Sequence, residues 1–334
     1  MSVEVRRATG DDRERWDSLV ERSPHGTPFH LQAFGEVVVE HTDTTYIPLI
    51  GYKGQEPVGL FPTFHTTRGP IGTVFSPVPG FKITYQGPAM VNIAKLKQRK
   101  KDRRHRQFVE GCLDHLNATV DPRYVHVRTG STYLDTRPFV HNGYDASVGH
   151  TYVVDISSDE ESLLNRFSRD ARQNVTDEYD GVEIEEGGTT AIRTIHEQVR
   201  KRHEQQDEAF DVPLGFVVDL FERMPAGTVR PYVCRTDGDI AGGIIALELD
   251  ETVYRWIGGS KHGADVPVND LLDWAIIRDA KTRGVTRYDL VGASEPNIAK
   301  YKAKFAPTLE LYQQLECGTT LLKTAANLYK RVKK

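Results

Sequence analysis

Near the C-terminal end, the run AKYKAKFAP sets Lys300, Lys302 and Lys304 alternately with Tyr301, Ala303 and Phe305. Ammonium groups beside aromatic rings suit chemistry in which negative charge grows on an oxygen. One donor aimed at such an oxygen is worth roughly 2.7–4 kcal/mol. On a strand, the three lysines would share one face and the two aromatic rings the other. Such a lysine face is equally at home in bulk water, so the surrounding elements must decide.

Other residues could serve the same chemistry. Asp289 ends the strand pattern RYDL, where a carboxylate can accept an amine's proton or satisfy the strand's end. Arg169 and Arg172, three apart in FSRDARQNV, share a helical face. Guanidinium forks fit phosphate bidentately, and they also pair with nearby acids such as Asp170 and Asp177. Asn269 and Asp270 follow Pro267 and read as caps of a helix whose N-terminal amides suit an anionic group.

Several classes are excluded. No G-x-S-x-G elbow, H-E-x-x-H or Walker loop occurs, and the 12 histidines lack ligand spacing, so no metal is expected. Cys112, Cys234 and Cys317 form no C-x-x-C pair, as expected of reduced thiols in a cytoplasmic protein. The start, MSVEVRRATGDDRERW, lacks a signal peptide's apolar core, and no apolar run approaches the roughly 20 residues of a bilayer span. The net charge of −4 names no partner, so attraction must be local. KLKQRKKDRRHR, residues 95–106, holds eight Lys/Arg against one Asp. It reads as a solvated helix face, or as a contact with the phosphates of tRNA or anionic lipid. Residues 321–334, LLKTAANLYKRVKK, repeat apolar residues at helical spacing and end in cations. They suggest a basic helix docked on its domain or resting peripherally on the inner face of a membrane.

These candidates are set in a pattern written twice. PLIGYKGQEPVGLFPTF and PYVCRTDGDIAGGIIAL both read as strand, polar turn and strand, with Gly59 and Gly242 in matching places. Upstream of each lie a strand and two helical segments; downstream, a helix leads to RYVHVRT or TRYDLVG, and a late strand, TYVVDIS or LELYQQLEC, closes each half. The implied class is α/β (α+β), with mixed, mainly antiparallel sheets flanked by helices. The boundaries read 1–157 for the first domain, 158–181 for a single linking helix, 182–320 for the second domain and 321–334 for the basic helix.

TPFHLQAFGE, FSRDARQNV, VNDLLDWAIIRDAKTRGVTRYDLVGAS and YKAKF, in this order, resemble the doubled GNAT superfamily. More specifically, the chain looks like Fem-type aminoacyltransferases and related double-GNAT acyltransferases of envelope and exopolysaccharide pathways. The resemblance implies two tandem GNAT-like domains and transfer of an activated acyl group to an amine or hydroxyl of a cell-envelope or polysaccharide precursor. It implies no resident cofactor, the donor being acyl-CoA or aminoacyl-tRNA, and a small-molecule or lipid-linked acceptor. By the family's F-K-x-x-F spacing, Lys302 takes the place of a substrate-channel lysine, with Tyr301 and Phe305 in the aromatic places. Arg172, assisted by Arg169, falls where the family holds an acceptor's diphosphate. His30 and Gln32 fall on another channel wall. Two departures stand out. Ala306-Pro307 replaces a common Gly-Gly, and GGSKHGADVPVND lacks the Q/R-x-x-G-x-G/A spacing of a CoA pyrophosphate loop. A GNAT-like protein that has lost catalysis and binds a phosphate-bearing or lipid-linked ligand is the second reading.

Overall fold

A computed structural model describes residues 2–69, 71–260 and 265–325, apart from the side chains of Arg68 and Ser260. The first half runs β1 (Glu4–Arg7), α1 (Asp11–Glu14), α2 (Trp16–Glu21), a 3-10 turn (Pro28–His30), α3 (Gln32–Glu40), β2 (Thr45–Lys53) and β3 (Glu56–Arg68). It continues through β4 (Ile71–Ser76), β5 (Ala89–Met90), α4 (Gln98–Val120), β6 (Tyr124–Arg128), α5 (Arg137–Val140) and β7 (Asp145–Asp155). The second half runs α6 (Glu160–Arg166), α7 (Arg169–Thr176), β8 (Val182–Glu186), α8 (Thr189–Gln205), α9 (Leu214–Arg223) and β9 (Val229–Thr236). It ends with β10 (Asp239–Leu249), β11 (Thr252–Ser260), α10 (Val268–Thr282), β12 (Arg287–Asp289), α11 (Pro296–Ala303) and β13 (Thr308–Gly318).

Two compact units result. The first comprises residues up to Gly149 and those from Leu311 on, and the second spans His150–Glu310. In the first, the sheet order is β1-β2-β3-β4-β6-β13, antiparallel except for the parallel β4/β6 pair. In the second, β8-β9-β10-β11-β12-β7 repeats that order, with β11/β12 as its parallel pair. The duplicated pattern is thus a duplicated pairing scheme. The late strands differ from expectation. TYVVDIS pairs with β12 in the second unit, and LELYQQLEC pairs with β6 in the first, so neither closes the half in which it is written. Strand alternation specifies a face and not a neighbour, which is why the sequence left this open.

Within each hairpin, glycine makes room for a helix. Gly51 pairs with Gly59, and a Cβ at either would lie within 2.4 or 2.6 Å of the Phe108 ring from α4. In the second unit that place belongs to Gly243 rather than Gly242. A Cβ there would come within 2.4 Å of Ile195 on α8, and the β9/β10 register shifts just before, between Ile240 and Gly242. On α4, His105, Phe108, Val109, Cys112, Leu113 and Leu116 form the buried stripe. Lys95, Lys97, Arg99, Lys100 and Arg103 of the basic run are exposed, Arg104 pairs with Glu56, and Arg106 lies 3.8 Å from Glu110.

The expected linking helix is two helices. Phe167 is extended (φ −65°, ψ 154°), and its ring enters the core edge-on to Trp274 and Phe305 at 5.8 and 5.3 Å. Asp159, not Ser157 or Ser158, caps α6, and Ser168 caps α7 by accepting from Ala171 N. Of the basic C-terminal helix, residues 320–325 are helical and 326–334 lie outside the described residues. Among the described residues no helix is long and apolar enough to cross a membrane.

Candidate active site

Lys302 lies on a helix, not on a strand. Pro296 starts α11 at a position where its missing N–H costs nothing, and the Ala- and Lys-rich turn that follows favours helix. The three lysines therefore diverge: Lys300 is exposed, Lys304 half-buried and Lys302 only 6 % exposed. Lys302 Nζ donates to Val291 O at 2.8 Å and Gly292 O at 2.9 Å. Burial, then repulsion from Arg255, lowers its pKa to about 8, against the pull of Asp289 and Asp273. An ammonium held by two carbonyls with one N–H to spare is a donor ready for a third oxygen.

The carbonyl pair is itself held in place. Val291 has φ 54°, a costly conformation for a β-branched residue, and Gly292 has φ 90°. Asp289 Oδ1 accepts from Val291 N and from Thr151 Oγ1, both at 2.7 Å, and Thr151 Oγ1 accepts from Gly292 N at 3.0 Å. Asp289, 3 % exposed, is thus committed to shaping the strand's end. This geometry favours the structural reading of Asp289 over the role of proton acceptor.

Two residues that the sequence reading missed complete the cluster. Asp273 on α10 is wholly buried and accepts from Arg255 Nε at 2.8 Å, Tyr288 OH at 2.5 Å and Tyr301 OH at 2.7 Å. Arg255 on β11 also donates to Asn269 Oδ1 at 3.3 Å. Burial alone would lower the Arg255 pKa, but Asp273 reverses this and holds it above the ordinary arginine value. Burial, reinforced by the Asp273 charge, pushes Tyr288 and Tyr301 far above the usual phenol value, so both remain neutral donors. A signal existed. Asp273 interrupts the apolar run Leu271, Leu272, Trp274, Ile276, Ile277, and Arg255 interrupts the apolar β11; buried charges in such places are paired or functional.

Of the remaining expected residues, Tyr301 joins the cluster through its hydroxyl, and Lys304 Nζ sits 4.4 Å from its ring centroid. Phe305 is 1 % exposed and packs edge-on against Phe167 and Tyr301. Helix α7 is seated on the end of α11 by Ser168 N donating to Lys304 O. Asp270 ties it further, accepting from Asn174 Nδ2 and Lys304 Nζ at 2.6 Å each. Arg169 is exposed and Arg172 half-buried; among the described residues neither guanidinium has a carboxylate partner, and no hydrogen bond joins Arg172 to Lys302.

His30 and Gln32 belong to the first unit and are engaged there. His30 is wholly buried. Its Nδ1 accepts from Thr27 N at 3.2 Å and contacts Thr27 Oγ1 at 2.8 Å, leaving Nε2–H for Gly87 O at 3.1 Å. Burial lowers its pKa to about 4. It is a buried histidine whose two ring nitrogens are both engaged within the first unit. Gln32 Oε1 accepts from Arg13 Nε at 3.3 Å. The stretch GGSKHGADVPVND has residues 261–264 outside the described set, so its phosphate-loop comparison stays with the sequence.

Residues 164–303 match the family model described as "Acetyltransferase (GNAT) domain", a span that includes Arg172, Arg255, Asp273, Asp289 and Lys302. The curated proteins include no match to this chain. Among solved structures, FemX shares 11% identity and a TM-score of 0.73, covering 99% of this chain and 100% of its own. The C-terminal domain of a protein assigned as a lysylphosphatidylglycerol synthetase from Agrobacterium fabrum shares 14% identity and a TM-score of 0.57, covering 95% of each chain. A tandem GNAT protein from the clavulanic acid biosynthesis pathway shares 13% identity and a TM-score of 0.52, covering 95% of this chain and 99% of its own. Residues 164–303 thus match an acetyltransferase (GNAT) domain, and the chain as a whole shares its fold with FemX and with a tandem GNAT protein.

Proposed function

We propose that the protein is a Fem-like acyl- or aminoacyltransferase that moves an activated acyl group onto an amine or hydroxyl of an envelope or polysaccharide precursor. The observation that carries this reading is the buried Lys302 ammonium, fixed by two carbonyls beside Arg255 inside the GNAT-matching segment. When the acceptor attacks, the carbonyl oxygen takes the electron pair of the broken π bond. Lys302 supplies the third N–H to that oxyanion, then releases it as the leaving group departs. Asp289, Thr151 and strained Val291 hold the carbonyl pair that aims Lys302. Arg172 and Arg169, which have no carboxylate partner among the described residues, suit the phosphates of a nucleotide- or lipid-linked acceptor. The A. fabrum relative, by its name, makes an aminoacylated lipid, so a lipid-linked acceptor is compatible with this fold. An ammonium kept buried at a cost favours catalysis over an inactive binding role.

The test is acceptor acylation read by mass spectrometry. The protein is incubated with acetyl-CoA or alanyl-tRNA and with nucleotide- or lipid-linked peptidoglycan precursors. An acyl mass increment on one acceptor, lost in Lys302→Ala, is expected. Absence of any increment with every pair would contradict the reading.

A further inference from the structure

The strand β6 turns alternate side chains to two faces. Val125 and Val127 enter the core with Phe108. Tyr124, His126 and Arg128 take the other face. Tyr124 OH donates to Glu316 Oε1 at 3.0 Å, and His126 Nε2 lies 3.7 Å from the same oxygen. These two positions have an acidic neighbour, and Arg128 differs. Its Nη2 donates to Ile83 O at 2.6 Å, its Nε–H is buried without an acceptor, and among the described residues no carboxylate pairs with it. Its neighbours on this face include the neutral phenols of Tyr312 and Tyr85. Tyr312 and Tyr85 raise its pKa while burial lowers it further, and their rings meet edge-on at 5.3 Å.

An arginine withdrawn from water normally has a carboxylate or phosphate to balance it, because an uncompensated buried charge is costly. Here a half-buried guanidinium with its Nε covered is held by one carbonyl, with N–H groups left over and, among the described residues, no carboxylate beside it. Its planar fork donates to two oxygens of one anion at once. We propose that Arg128, beside Tyr312, is a binding site in the first unit for the oxyanion group, carboxylate or phosphate, of a small-molecule substrate. The site lies in a different unit from Lys302 and does not depend on the acyl-transfer reading.

The experiment titrates inorganic phosphate or acetate at low millimolar concentration and constant ionic strength, with binding followed by calorimetry and stability by thermal unfolding. Wild type and Lys302→Met are expected to bind one of the two saturably. Arg128→Met should bind at least about tenfold more weakly, the scale of one charged hydrogen bond. Without ligand, Arg128→Met should unfold at or above the wild-type midpoint, because a half-buried charge with a covered, unpaired Nε–H has gone. Binding of phosphate alone assigns the site to a phosphate group, and binding of acetate alone assigns it to a carboxylate. The proposal is overturned by no saturable binding in wild type or by unchanged affinity in Arg128→Met. A marked fall in that variant's ligand-free midpoint would also overturn it, since the guanidinium would then serve only to hold the chain at Ile83.

Discussion

Lys302 is costly to the fold and useful to the site for the same reason. Its pKa of about 8 in the folded chain lies below the ordinary 10.5, so between those values the unfolded chain binds more protons. Stability from this group is therefore fully present above pH 10.5 and is lost as pH falls through about 8. Lys302→Met should raise stability at pH 7, and the gain should shrink as pH climbs from 8 to 10, as urea denaturation at several pH values would show. A constant gain would place the lysine in water. Ala306 presents a second local cost. It occupies φ 51° where the resembling family often has glycine, so Ala306→Gly should stabilise the chain by about 1 kcal/mol in the same assay. The sequence showed that substitution plainly; it could not show that the chain would keep the left-handed turn with alanine in place.

At the scale of elements, the hairpins and α10 were legible because periodicity and spacing are local. The geometry of YKAKF was not. Alternating lysines mimic a strand, yet Pro296 at the first turn and the helix-favouring Ala and Lys residues after it make a helix of Pro296–Ala303. Asp273 was missed because its partners Arg255, Tyr288 and Tyr301 come from three separate elements. Removing it strands a buried guanidinium, so Asp273→Ala should cost about 3–5 kcal/mol in denaturant unfolding. A cost under about 1 kcal/mol would show that the triad of donors is dispensable. The break between α6 and α7 rests on Phe167 entering the core and Ser168 capping the new helix, and Ser168→Ala should cost about 1 kcal/mol.

For the whole molecule, the repeat was readable and the exchange of closing strands was not, since a strand's written position does not name its neighbour. β13 pairs with β6 from Gln314↔Arg128 to Gly318↔Tyr124, and Leu315 is fully buried in the first unit's core. A chain ending at residue 307 should therefore lose amide-exchange protection along Tyr124–Arg128, although those residues lie far away in sequence. Retained protection there would mean that β6 does not depend on β13. The account as a whole turns on the charge of Lys302 during acyl transfer. Its most direct test is the pH dependence of acceptor acylation in wild type, Lys302→Ala and Lys302→Arg. The account predicts a wild-type rate that falls as pH rises through about 8, a loss of roughly a hundredfold or more in Lys302→Ala, and no such fall in Lys302→Arg, which keeps its charge. A rate that climbs through pH 8 in wild type, or an undiminished rate in Lys302→Ala, would contradict it.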